Sequence, residues 1–80
     1  MSDNVKNIGR LAEKKLEAEA LAIKISGLVD SIHDKADPFE NIKDLATDII
    51  ASQGMELADA RIKYLGVLDE IAALKKALGK

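Results

Sequence analysis

Eighty residues with a formal net charge of −2 set the bounds on this chain. A chain so short buries only about 60% of its unfolded surface, so a disulfide, a metal or a partner chain is the usual reinforcement. Cysteine is absent, which excludes disulfides and thiolate metal sites and points to a partner chain.

The chain is 48% hydrophobic, and almost all of that is Leu, Ile and Ala, with one Phe and one Tyr. Leu, Ala, Glu and Lys at helical spacing mark long or coiled-coil helices. The expectation is a single helical domain over 1–80. No run of about 18 uncharged apolar residues occurs, so no membrane span is expected. The opening Met1-Ser2-Asp3-Asn4 has neither the basic nor the apolar region of a signal peptide, so the expected location is cytoplasmic.

In chain order, the first predicted helix covers about 4–36. Its apolar residues Ile8, Leu11, Ala18, Ala22, Ile25, Val29 and Ile32 recur at three and four, with Lys15 as a polar interruption. Leu21 and Leu28 widen that stripe. A second stripe runs through Ala12, Leu16, Ala20 and Ile23. Gly27 within the helix is expected to mark close packing.

The only proline then sets the turn. Asp37 is expected to cap a second helix, Pro38 to open it and Glu40 to complete a capping box. Phe39 is expected to staple this turn onto Ile32 or Ile42, or to be offered to a partner. The second helix, about 38–78, carries Phe39, Ile42, Ala46 and Ile49, then Leu57, Ala60, Tyr64, Val67, Ile71, Leu74 and Leu78. One extra four-residue step, read as a stutter, keeps the halves in phase through Gln53. A kink or break is possible at Gly54, within Ser52-Gln53-Gly54. Gly66 is expected to be a second close-packing site. Ala58, Ile62, Leu65 and Ala72 form a second stripe here too. Lys75, Lys76 and Lys80 complement the C-terminal end of the helix dipole.

The expected fold is therefore an all-α long helical hairpin. One stripe per helix would close the hairpin and the other would face water, which favours pairing into an antiparallel four-helix bundle. A two-fold homodimer is the commonest such closure.

Charge is uneven along this hairpin. Residues 1–20 and 61–80 hold nine basic groups against six acidic ones, whereas 21–60 hold three against eight. The open end is thus +3 and the turn −5. Lys6, Arg10, Lys14, Lys75 and Lys76 could contact nucleic acid or a small anionic ligand, although no aromatics are interleaved for base stacking. Asp30, Asp34, Asp37, Asp44 and Asp48 form a candidate acidic partner surface, able to mimic phosphate against a basic protein site. Asp30, His33, Asp34 and Asp37 share a face by spacing and could in principle ligate a metal. Exposed, screened carboxylates are the simpler account, and no metal or other cofactor is expected.

No nucleophile, phosphate loop or acid–base pair stands out, so no catalytic residue is assigned and an enzyme is not expected. The expected function is a non-enzymatic interaction protein, an adaptor or inhibitor, that self-associates and binds another macromolecule, in the first instance a protein.

Overall fold

The computed structural model describes residues 2–79. The described chain is two long helices folded back on each other, α1 over Ser2–Lys35 and α2 over Thr47–Ala77, with one 3-10 turn, Ile42–Asp44, between them. The hairpin measures 63 × 16 × 14 Å. Lys80, assigned above to the dipole end, lies outside the described residues.

α1 runs 34 residues without a proline in a sequence rich in good helix formers. Its last bond is Ala36 N–H to the Ile32 carbonyl, at 2.8 Å. It stops because Asp37 precedes Pro38, whose ring disfavours the helical conformation there. α2 ends at the other extreme on a glycine cap. Gly79 has φ 81° and donates to the Lys76 carbonyl at 3.0 Å, and Leu78 donates to Leu74.

The second helix does not begin at Pro38. Asp37 Oδ1 instead accepts from the Phe39 amide at 2.9 Å, and the Glu40 amide donates to the Asp37 carbonyl at 3.1 Å. This is an Asx-type turn rather than an N-cap. Glu40 closes no capping box; its Oε1 accepts from the adjacent Asn41 amide. Asn41 caps the 3-10 turn through Lys43 N–H, and Leu45 returns to extended backbone before α2 starts.

Register explains the late start. Ser31 Oγ donates to Gln53 Oε1 at 3.0 Å, and Lys14 Nζ lies 3.2 Å from Glu70 Oε2. Seventeen residues back along α1 correspond to seventeen forward along α2, so the register never slips. It sets α1 against the whole of α2. A helix begun at Pro38, straight after α1, would shift this register and leave Leu74 and Leu78 overhanging the start of α1.

The seam is a regular heptad pattern. On α1 the inward residues are Asn7, Leu11, Lys14, Ala18, Leu21, Ile25, Leu28 and Ile32; on α2 they are Ala46, Ile50, Gln53, Leu57, Ala60, Tyr64, Val67, Ile71, Leu74 and Leu78. Steps alternate between three and four throughout, so the stutter is absent and α2 passes unbroken through Gly54. Ile50, not Ile49, lies on the seam. Likewise Leu21 and Leu28 lie on it, while Ile8, Lys15, Ala22 and Val29 flank it. The buried core is small: Ala18, Val67 and Ile71, packed by Leu11, Leu21 and Tyr64, with Ala60 buried nearby.

Candidate functional site: an apolar face on a two-sided hairpin

The observed seam fixes where every other residue points. Helical periodicity places Ile8, Lys15, Ala22 and Val29 beside one edge of the α1 seam, and Arg10, Glu17, Lys24 and Ser31 beside the other. Because the helices run antiparallel, equivalent heptad positions flank the seam on the same side. Ser31–Gln53 and the Lys14 ion pairs with Glu17 and Glu70 all lie on the second edge, as this geometry requires.

The two broad sides differ sharply. Val5, Ile8 and Val29 of α1 and Leu65 and Leu68 of α2 lie on the first side, while Leu16 and Ile23 of α1 and Met55 and Ile62 of α2 lie opposite the seam, on the outer rim of each helix. All nine are exposed, from 38% at Leu68 to 75% at Ile23. Smaller apolar residues, Ala12, Ala51, Ala58 and Ala72, continue the same surface. On the opposite side the only large exposed apolar residue of either helix is Ile49. That side presents Lys6, Arg10, Glu13, Glu17, Lys24, Glu56, Asp59, Lys63 and Glu70. Even the seam respects the division. Its polar members, Asn7, Lys14 and Gln53, all take the seam position nearer the charged side, and the position nearer the apolar side is apolar throughout.

Of the predicted second stripes, Ala12, Ala58, Leu65 and Ala72 lie on the apolar side, Leu16, Ile23 and Ile62 on the outer rims, and Ala20 on the charged side. Met55 and Leu68 were missed. Each sits in the heptad but outside the stripes picked by counting apolar residues alone.

The basic candidates share an end but not a face. Arg10 and Lys14, with Glu70, Ala73 and Leu74, line an open groove of about 450 Å³. Lys6 lies on the same charged side, whereas Lys75 and Lys76 belong to the apolar side. Lys14 is held by two carboxylates, Glu17 and Glu70, both at 3.2 Å. The hydrogen bond to Glu70 and then that to Glu17 raise its pKa above the ordinary lysine value. The stabilisation from this shift is full below the unfolded pKa and is lost as pH rises through the higher folded value.

The acidic candidates Asp30, Asp34, Asp37, Asp44 and Asp48 are all exposed at the turn end. His33, Asp34, Asp37 and Pro38 line a shallow recess of about 220 Å³ without Asp30. Among the described residues no three His, Asp or Glu side chains are grouped closely enough to hold a metal ion. His33 is exposed. Phe39 staples nothing: it is 94% exposed and Ile42 88%, so the connection displays two large apolar side chains among carboxylates.

No helix of the described residues is long and apolar enough to cross a membrane. Comparison with protein-family models, curated proteins and solved structures returned no match.

Proposed function

We propose that this chain is a non-enzymatic helical interaction protein, an adaptor or inhibitor of the cytoplasm, that self-associates and binds another macromolecule. The observation that carries this reading is the set of nine large exposed apolar side chains, five on one broad side and four on the outer rims, of a hairpin with four buried residues among those described. Extended apolar patches of this kind mark interaction surfaces. A second contact surface is the acidic connection, where Phe39 and Ile42 project beside Asp37, Glu40 and Asp44. Large apolar side chains rimmed by carboxylates suit a partner with a basic, partly apolar site. The alternative, a small anionic ligand or nucleic acid at the basic end, has Arg10, Lys6, Lys75 and Lys76 to draw on. It loses much of Lys14, whose ammonium group two carboxylates already hold.

The test is cross-linking in the cells of origin followed by mass spectrometry. Wild type is compared with Ile8→Glu/Leu65→Glu and with Phe39→Ser/Ile42→Ser. The expected result is a self-cross-link lost only in the first variant and a cross-link to another macromolecule lost in the second. A wild-type protein that yields neither product overturns the proposal.

A further inference from the structure

We infer that the apolar face is occupied by a second copy of this chain turned end over end, so that the open end of each hairpin lies on the connection end of the other. The inference rests on the self-association proposed above and adds the surface and the orientation.

Area supports a macromolecular cover. An 8.6 kDa compact monomer has an accessible surface of about 4,700 Å². This hairpin has 6194 Å². The apolar face spans about 35 Å along the helices and about 20 Å across them. Two such faces in contact bury on the order of 1,400 Å², within the range of stable interfaces, about 1,200–2,000 Å². A hairpin face made of two parallel-lying ridges also packs naturally on its own copy, giving four helices around a common core.

Charge selects the copy and its direction. Along the apolar side and its outer rims the open half carries Lys15, Arg61, Lys75 and Lys76 against Glu19 and Asp69, and the connection end carries Asp30 and Asp48. Among the described residues the open half holds eight basic and six acidic groups, and the connection half three and eight. A two-fold axis perpendicular to the hairpin lays each basic edge over the partner's acidic edge. A two-fold axis along the hairpin would stack basic on basic and acidic on acidic. These contacts lie within the screening length of about 8 Å at physiological salt, so like-charge stacking is not screened away. A surface with opposite charges at its two ends and apolar residues between them is self-complementary in one orientation only.

The experiment uses the full chain, which has no cysteine of its own. A spin label at Asn41→Cys marks the connection, and sedimentation gives the mass. The expected result is a mass of two chains at micromolar concentration, with the two labels on the order of 50 Å apart. Ile8→Glu/Leu65→Glu is expected to halve the mass while circular dichroism stays helical. Ile8→Ser/Leu65→Ser replaces it should the glutamates unfold the hairpin. A wild-type mass of one chain at every concentration overturns the inference and the self-association beneath it. A two-chain mass with labels within about 25 Å overturns the end-over-end orientation alone. A dimer that survives the face variants overturns the assignment of the surface.

Discussion

Gly27 and Gly66 show how much a single residue's surroundings matter. Glycine inside a helix is disfavoured, and close packing is the usual reason to keep it. Here a Cβ built on either residue meets nothing within 4 Å. Both lie on the charged side of the hairpin, away from the seam and from the apolar face. Packing therefore gives no reason for either. Gly27→Ala and Gly66→Ala are each expected to raise stability by about 0.5–1 kcal/mol, read from urea unfolding. A loss in either variant would mean that a neighbour occupies that side.

The same scale separates Lys14 from Lys15. Lys15 was the expected polar interruption of the α1 stripe. Lys14 takes the seam position, because its ammonium reaches Glu17 and Glu70 while its stem lies along the seam. Lys15 is one residue further round the helix and exposed.

At the scale of elements, the connection is the least supported part of the described chain. From Asp37 to Asp44 every residue is exposed, and its order comes from short-range bonds of Asp37, Glu40 and Asn41. Local opening should begin there. Limited trypsin digestion is expected to cut first after Lys43, before any lysine inside α1 or α2, as mass spectrometry of early products would show. A first cut after Lys24 or Lys63 would instead mean that the helices open before the connection does. The two helices were readable from composition and spacing, and the end of α1 at Lys35 followed from Pro38. The start of α2 was not. Asp37-Pro38-Phe39-Glu40 has the residues of a capping box, but Asp37 spends its carboxylate on the Phe39 amide in a turn.

For the whole molecule, the decisive contrast is between the inner seam and the outer face. Ile71 is 9% exposed in the core, whereas Ile8 is 59% exposed on the apolar face. Ile71→Ala is expected to cost about 2 kcal/mol at all protein concentrations, the low end for such a truncation in so thin a core. Ile8→Ala should cost below about 0.5 kcal/mol in a single hairpin. If a second copy covers the face, that cost grows as concentration rises and the dimer fills. Thermal unfolding of both variants across a hundredfold dilution series separates the cases; an Ile8→Ala cost that does not change with concentration leaves the face uncovered.

What the amino-acid sequence determined alone is the all-helical character, a reversal near Pro38, the surplus of apolar stripes and the opposite charges of the two ends. These depend on propensity, spacing and composition, which act locally. The tertiary structure alone decided the phase of the seam. Apolar counting favoured Ile8, Ala22, Val29 and Ile49, with Lys15 as an interruption, because it follows the phase that takes up more apolar residues. The folded hairpin accepts Asn7, Lys14 and Gln53 at inward positions, since Lys14 and Gln53 find partners across the seam in Glu70 and Ser31. The one-residue shift of half the α1 seam, from Ile8, Lys15, Ala22 and Val29 to Asn7, Lys14, Leu21 and Leu28, then leaves Val5, Ile8, Val29, Leu65 and Leu68 on one side and Leu16, Ile23, Met55 and Ile62 on the outer rims, with the charged side opposite.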